Sequence, residues 1–180
     1  MAELRAGLDR SVPAKRTIDR NILIATWNIR AFGGITDSWI SQNNDSPKRN
    51  WRGMHAIAEI ISRFDVVAIQ EIKRELTALR SLVSMLGSNW SFLVTDVSQG
   101  IKGNSERMGF VFDQTRVSLS GLAGELAAPD DPEFLADLSP EHPFRQFART
   151  PYAVSFNAGH DTFTLVTMHV IFGNAAGDRT

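Results

Sequence analysis

Two polar residues, Asn28 and Glu71, each lie at the end of an apolar run that the sequence predicts to be a β-strand. Asn28 ends the run 22–28, and Glu71 directly follows the run 66–70. A helix between the two runs would join them by a βαβ crossover, so both strand ends would lie at one edge of a sheet. Open α/β sheets bind ligands at that edge. A carboxylate and a carboxamide held there suit a hard divalent cation and a phosphate, because Mg²⁺ takes oxygen ligands.

The apolar pattern also predicts the elements that position these residues. Apolar residues between 54 and 64 and between 76 and 86 repeat with helical spacing, and the second helix ends at Gly87. The run 66–69 between them is typical of a buried parallel strand. After Gly87 the pattern changes to short β segments, and the sequence predicts them at 90–96, 108–113, 116–120, 151–157 and 162–170.

Two predicted hairpins bring further polar residues to the same edge. A turn around Gly159 places Arg149 roughly opposite His169. The return of the chain after strand 90–96 places Glu106 beside the end of that strand. A metal-binding carboxylate, a guanidinium and an imidazole oriented by a second carboxylate are together suited to phosphodiester cleavage.

Composition limits the class of protein. The chain has 180 residues, 43% of them hydrophobic, which is enough for one sizeable core. Its net charge of -1 excludes a strongly basic nucleic-acid binder, and the lack of cysteine excludes a thiolate nucleophile. Residues 1–20 are polar, without the apolar core of a secretory signal, and predict a flexible lead before a domain at 21–180. We therefore expect a cytoplasmic protein that does not cross a membrane; its oligomeric state stays open.

Five segments in order resemble the motifs of the endonuclease/exonuclease/phosphatase superfamily, and the deoxyribonuclease I-like branch matches best. These segments are 26–33 (TWNIRAFG), 65–71 (DVVAIQE), 105–107 (SER), 149–151 (RTP) and 166–169 (VTMH). The resemblance implies an α/β fold, a four-layer α/β sandwich with two packed sheets between helices. It also implies an active site at the shared edge of the two sheets.

The resemblance assigns a role to each matching residue. Glu71 would bind the metal, Mg²⁺ or alternatively Mn²⁺, and Asn28 would lie beside it to position the metal or phosphate. Glu106 would orient His169, and both would be catalytic. The resemblance also implies that Arg149 binds the phosphate and that Arg30 and Lys73 contact the nucleic acid.

Two departures from the family pattern qualify these roles. The family's Asp-x-Asn motif and its terminal Asp-His pair would follow His169, but neither occurs between His169 and Thr180. We therefore expect a fold that is incomplete at the C-terminus and a 180-residue piece that is inactive alone. Asn104 also stands where deoxyribonuclease I-like enzymes carry a tyrosine that packs on nucleic acid, so DNA and RNA both remain candidate substrates, in either an endonuclease or an exonuclease mode.

Other functions share these first motifs. A phosphatase or a phospholipid phosphodiesterase of the same superfamily is one alternative, and a non-catalytic binding domain that keeps the fold is another. The loop 33–52 is polar and carries Asn and Arg residues, which favours nucleic acid over a membrane surface. Trp39, Trp51 and Trp90 are interpreted as core or staple residues and not as platforms for bases.

Overall fold

Two β-sheets and three α-helices make up the residues that the computed structural model describes, which are 1–97, 105–126 and 149–170. The helices are α1 (Ala2–Ser11), α2 (Trp51–Ile61) and α3 (Thr77–Leu86). The strands are β1 (Ile24–Phe32), β2 (Val66–Lys73), β3 (Trp90–Val94), β4 (Glu106–Asp113), β5 (Ser118–Glu125), β6 (Tyr152–Ala158) and β7 (Asp161–Thr167). The first sheet has the order β1-β2-β4-β3, and the second has the order β5-β6-β7.

The sheets pack against each other, and α2 and α3 cover the other face of the first sheet. Leu79 and Leu82 of α3 are fully buried against Ile69 of β2 in this helix-to-sheet core. Between the sheets lies a second, aromatic core, in which the rings of Phe110 and Phe156 have centroids 5.9 Å apart. The predicted α/β sandwich is confirmed, and the described residues supply one helical layer and both sheets.

The predicted pairing of strands is confirmed, but several predicted bounds are wrong. β1 and β2 are parallel, whereas β3, β4, β5, β6 and β7 form antiparallel pairs. β1 begins at Ile24, two residues later than predicted, and continues past Asn28 through a bulge. α2 begins at Trp51, earlier than the apolar pattern shows, because the Asn50 side chain accepts a hydrogen bond from the Gly53 N–H at 2.9 Å. β7 ends at Thr167, so His169 follows the strand and is not part of it.

Residues 2–11 form a helix that the sequence analysis does not predict within the lead it expects at residues 1–20. No residue of α1 is buried, so an apolar pattern could not reveal the helix. Ion pairs to α2 and the turn after it hold α1 in place. Arg5 Nε lies 2.9 Å from a Glu59 oxygen, and Arg63 Nη1 lies 2.6 Å from Asp9 Oδ1. The proposed domain limits, 1–20 and 21–180, stay a prediction.

Two further expectations concern the tyrosine position at Asn104 with the proline-rich connection, and the absence of a membrane span. Asn104 and most of the proline-rich connection before Arg149 lie outside the described residues. Across residues 1–97, 105–126 and 149–170, none of the helices is long and apolar enough to cross a membrane.

Candidate active site

A bulge between the two parallel strands positions the first carboxylate of the site. Asn28 pairs with Gln70, but the next pair is Phe32 with Ile72, so β1 uses three residues where β2 uses only Glu71. Both Ala31 and Glu71 have positive φ angles, 48° and 62°. Such angles are uncommon outside glycine and concentrate at functional sites. The bulge turns the Ala31 N–H toward Glu71, to which it donates a hydrogen bond at 3.0 Å (Oε2).

These contacts keep the Glu71 side chain ionised. Burial alone would raise the pKa of this carboxyl, but the Ala31 amide and the Asn28 side chain, with the nearby His169 and Lys73, outweigh burial and hold the pKa below its ordinary value. Glu71 is therefore a carboxylate at neutral pH. A fixed, ionised carboxylate at a strand end is the ligand that a hard cation requires.

A second carboxylate, Glu106, lies deeper in the site and contacts three basic groups. It begins β4 directly opposite Lys73 of β2, and Lys73 Nζ lies 2.8 Å from Glu106 Oε1. Arg149 reaches the other oxygen from the second sheet, with Nη2 2.9 Å from Glu106 Oε2. The Arg149 and Glu106 side chains are only 6% and 5% exposed. The third basic group is the His169 imidazole, whose Nδ1 lies 3.4 Å from Glu106 Oε2.

His169 lies between the two carboxylates. Its Nε2 is 4.0 Å from Glu71 Oε1 and 3.4 Å from Asn28 Nδ2. The contact of Nδ1 with Glu106 Oε2 has the distance of an ion pair but lacks hydrogen-bond alignment, and both atoms are buried without another hydrogen-bond partner among the described residues. A small ring rotation would align them, as catalytic groups often do only when substrate binds. Burial and then the charge of Arg149 lower the pKa of His169, although Glu106 and Glu71 partly oppose this.

A buried hydrogen-bond network beneath the site joins the two sheets, and the sequence analysis missed it. Gln70 Nε2 donates to Thr167 Oγ1 of the second sheet at 2.8 Å and to Thr26 Oγ1 of β1 at 3.0 Å. Thr167 stands two residues before His169, so this bond fixes the chain that carries the imidazole. A signal existed in the sequence, since Gln70 is a polar residue that continues an otherwise apolar strand.

The donor atoms at this edge fit a magnesium ion. Glu71 Oε1 and the side-chain oxygen of Asn28 are hard oxygen donors, and no group of three His, Asp or Glu side chains is arranged as a metal cage within the described ranges. Mg²⁺ typically binds one or two protein carboxylates and takes its other ligands from water and phosphate. Glu71 and Asn28 are the residues that could hold such an ion here.

The structure brings most of the predicted site residues together. The residues that meet at this edge are Asn28, Glu71, Lys73, Glu106, Arg149 and His169. Arg30 differs from these residues because it is exposed. Its backbone carbonyl accepts a hydrogen bond from Arg49 Nη2 at 2.5 Å. The hairpin geometry is confirmed, since Arg149 Nη1 lies 3.5 Å from the His169 carbonyl oxygen. The individual roles stay predictions.

Comparison with known proteins gave one sequence relative and similar folds. A curated deoxyribonuclease from Thioalkalivibrio sp. (strain K90mix) is 27% identical over 164 residues, which cover 88% of this chain and 37% of the relative. An endonuclease/exonuclease/phosphatase family protein from Leptotrichia buccalis C-1013-b aligns with a TM-score of 0.51 and 11% identity, over 87% of this chain and 56% of that one. A conserved protein of unknown function from Enterococcus faecalis V583 aligns with a TM-score of 0.48 and 16% identity, over 83% of this chain and 53% of that one. No protein-family model matches the chain.

The chain thus spans little more than a third of the curated relative, 37% of its length. The likeness to the Leptotrichia protein shows a shared fold. The deoxyribonuclease relative adds a sequence match over most of this chain. Together they confirm the resemblance to the endonuclease/exonuclease/phosphatase superfamily that the five motifs predict.

Proposed function

We propose that this chain, which resembles the endonuclease/exonuclease/phosphatase superfamily, carries the site of a metal-dependent phosphodiester hydrolase that acts on nucleic acid. The observation that carries the proposal is the placement of His169 between two carboxylates, with Nδ1 3.4 Å from Glu106 Oε2 and Nε2 4.0 Å from Glu71 Oε1. The name of the deoxyribonuclease relative supports nucleic acid as the substrate class. DNA and RNA are both compatible with the described residues.

In this proposal, the imidazole of His169 handles a proton at the phosphate. Glu106 would accept a hydrogen bond from Nδ1–H, which fixes the tautomer and leaves Nε2 directed toward Glu71 and Asn28. Because the pKa of His169 is lowered, the ring is mostly neutral at pH 7 and Nε2 can accept or share a proton there. The imidazole then gains a positive charge, which the two carboxylates stabilise.

Charge on the phosphate would be balanced from two directions. Arg149 is anchored on Glu106 and lies next to His169, so its guanidinium can contribute positive charge to an oxyanion bound at the same edge. Glu71 and Asn28 would hold Mg²⁺ or Mn²⁺ on the other side. When bound, that metal supplies charge stabilisation and lowers the pKa of a bound water.

Lys73 and Arg30, the two cations proposed to contact the substrate, differ in whether they already have an ion-pair partner. Lys73 already forms an ion pair with Glu106 at 2.8 Å, whereas Arg30 has an exposed side chain and no carboxylate partner among the described residues. Arg30 is therefore the stronger candidate to contact a phosphate outside the cleaved bond. We assign Lys73 a substrate contact only through a rearrangement that breaks its pair with Glu106.

The proposal divides the catalytic groups between the residues of this chain and the motifs expected after His169. The motifs that the resemblance leads us to expect after His169, Asp-x-Asn and Asp-His, do not occur in residues 170–180. We propose that full turnover needs these motifs in addition to the residues of this chain. The whole protein's activity is part of this proposal, because the chain spans only 37% of its curated relative.

Plasmid nicking tests the function. A protein extended through the Asp-x-Asn and Asp-His motifs is incubated with supercoiled DNA and Mg²⁺, as wild type and as Glu71→Gln. We expect Glu71→Gln to reduce nicking at least 100-fold, a loss typical of a group that acts directly on the transition state. Glu75→Gln, which changes an exposed glutamate four residues away, is the matched control and should nick normally. Normal nicking by Glu71→Gln would refute the assigned site.

A further inference from the structure

An aromatic cluster of Trp39, Trp51 and His55 lies at the start of α2, and Trp51 is its exposed member. Trp51, the first residue of α2, is 55% exposed, and Ile40 nearby in sequence is 67% exposed. The Trp51 ring meets the ring of Trp39 edge to face at 5.4 Å and the ring of His55 at 4.3 Å. Trp39 and Trp90, by contrast, pack partly against the core. Trp51 is thus a large aromatic residue that is over half exposed and supported by two neighbouring rings.

The loop that carries Trp39 is hydrogen-bonded to the short segment that precedes α2. Ser38 and Trp39 both have positive φ angles, 49° and 62°, which are costly for side chains of this kind. Two bonds join Thr36 to Arg49: the Thr36 N–H donates to the Arg49 carbonyl at 3.0 Å, and the Arg49 N–H donates to Thr36 Oγ1 at 2.9 Å. These bonds place the aromatic cluster next to Arg49.

Two arginines carry the positive charge of this surface. The Arg49 guanidinium donates to the Arg30 carbonyl and lies 5.8 Å from the Phe32 ring centroid. Burial first, and then the nearby charge of Arg30, lower the pKa of Arg49. Across the described part of the chain, neither arginine has a carboxylate partner, and Arg49 Nε is buried without a hydrogen-bond acceptor. An anion at this position would relieve the repulsion of the two like charges.

Chain geometry joins the aromatic and cationic parts. Arg49 and Trp51 are two residues apart, so their Cα atoms are separated by at most about 7 Å. Arg30 is two residues from Asn28, which lies at the candidate active site. The segment 30–52 contains four basic and two acidic side chains. One of those acids, Asp45, already accepts the Gln42 N–H at 2.7 Å, so it is engaged within the loop.

We propose that this surface, made of Trp39, Trp51, Arg30 and Arg49, binds an unpaired nucleobase together with its phosphate, from a single-stranded stretch of the nucleic-acid substrate. The inference rests on the proposed function and adds a preference for unpaired over paired strands. An exposed indole offers its face to any base, whereas a base inside a duplex has both faces covered by its neighbours. The two guanidiniums supply the phosphate contact that a stacked base brings with it.

Binding in the absence of metal separates this surface from catalysis. Fluorescence anisotropy with the full 180-residue chain in EDTA would follow a labelled oligodeoxythymidylate and, separately, a labelled blunt duplex. The variants are Trp51→Leu, which removes the π face but keeps apolar bulk, and Trp51→Phe, which retains a π face. Leu122→Ala, at an exposed apolar position of the second sheet, is the matched control. Thermal melting confirms that each variant is folded.

We expect Trp51→Leu to weaken oligodeoxythymidylate binding by about 5- to 100-fold, the range of one base-aromatic stack. Trp51→Phe should recover much of that loss, and duplex binding should not change in any variant. Equal oligodeoxythymidylate affinity of Trp51→Leu and wild type would overturn the proposal. So would a change of sedimentation from dimer to monomer in Trp51→Leu at unchanged oligonucleotide affinity, because the occupant would then be a second copy.

Failure of this inference is distinguishable from failure of the proposed function. If Trp51 has no effect on binding while nicking by the extended protein still depends on Glu71, only the stacking surface is refuted. If the chain binds neither probe and the extended protein nicks DNA independently of Glu71, both proposals are refuted.

Discussion

Lys73 and Glu106 face each other across the ladder between β2 and β4, with Lys73 Nζ 2.8 Å from Glu106 Oε1. Arg149 binds the other oxygen of the same carboxylate at 2.9 Å. The two cations differ in burial, since the Lys73 side chain is 34% exposed and that of Arg149 only 6%. Glu106 is therefore held from both sheets, and the second sheet supplies its more buried partner.

This difference in burial predicts unequal costs for removing the two cations. Arg149→Met should lower the free energy of unfolding by about 3–5 kcal/mol, because it breaks a buried ion pair. Lys73→Met should lower it by about 1 kcal/mol or less, because water can replace the half-exposed ammonium. Urea unfolding of both variants and of wild type measures the two values. Equal losses would show that Glu106 depends on both partners alike.

Metal binding should depend on Glu71. Isothermal titration of the chain with Mg²⁺ and with Mn²⁺ should give a binding signal for wild type and none for Glu71→Gln, because an amide lacks the charge that a hard cation requires. Glu75→Gln is the control and should titrate like wild type, since Glu75 is exposed and lies beyond the bulge. Identical titrations of wild type and Glu71→Gln would remove Glu71 from the metal site.

The sequence predicted the elements of the site better than their contacts. Strand type and order follow from apolar runs, and connection rules bring Asn28 and Glu71 to one edge. The ion pair of Lys73 with Glu106 could not be predicted, because it depends on the register of β2 and β4, which shifts between Ile69 and Ile72. The bulge that turns the Ala31 N–H toward Glu71 likewise leaves no apolar pattern.

The same reasoning explains two features that the sequence did not reveal. α1 buries no residue and is held by ion pairs to residues more than 50 positions away, which local periodicity does not reveal. The other is the exposure of Trp51, which the sequence analysis interprets as a core or staple residue. Its position as the first residue of α2 leaves its side chain over half exposed.

Acid stability should depend on Asp65, at the end of the first sheet where β2 begins. Its side chain is fully buried and accepts bonds from Arg116 Nε at 2.9 Å and the Leu23 N–H at 2.8 Å, with Lys15 Nζ at 3.3 Å. Burial would raise the pKa of Asp65, but these partners outweigh it and lower the pKa below its ordinary value. Lys15 also contacts a second carboxylate, Asp113, at 3.6 Å.

Because the folded-state pKa of Asp65 is depressed, its stabilisation is fully present above the unfolded-state pKa of about 4 and is lost progressively as the pH falls from there through the lower folded-state pKa. Asp65→Asn should lower the free energy of unfolding by about 3–5 kcal/mol at pH 7 and by about 1 kcal/mol less at pH 3, because one carboxyl changes the stability by at most about 1.4 kcal/mol per pH unit. The control is Asp161→Asn, at an exposed position, which should change the free energy of unfolding by about 0.5 kcal/mol or less. Urea unfolding at several pH values gives the comparison. A loss for Asp65→Asn that stays constant with pH would contradict this account.

The contact of Gln70 with Thr167 should couple the two sheets energetically. Thr167→Val removes the acceptor of a buried amide and should cost about 1–3 kcal/mol of unfolding free energy. In Gln70→Leu/Thr167→Val, both polar groups are gone, so the double variant should cost less than the sum of the two single variants. A double-mutant cycle by urea unfolding measures this coupling. If the losses of unfolding free energy in the two single variants simply add in the double variant, the Gln70–Thr167 hydrogen bond does not couple the two sheets.

The last prediction is that the 180-residue chain has no useful nuclease turnover alone, whereas the extended protein does. The described residues provide a carboxylate that we propose binds the metal, an imidazole and a guanidinium, but the resemblance assigns the water-activating base to motifs after His169 that do not occur in residues 170–180. A general base contributes roughly 10²- to 10⁴-fold, and cooperating groups lose more together than their separate values suggest.

Purified 180-residue chain incubated with supercoiled DNA and Mg²⁺ should therefore leave the DNA uncut under conditions in which the extended protein nicks it. Robust cleavage by the 180-residue chain would contradict the prediction if Glu71→Ala abolished it, because that variant excludes a contaminating nuclease. The base would then lie within residues 1–180. Glu71 Oε1 lies 4.0 Å from His169 Nε2, so the roles of Glu71 and His169 would have to be reassigned first.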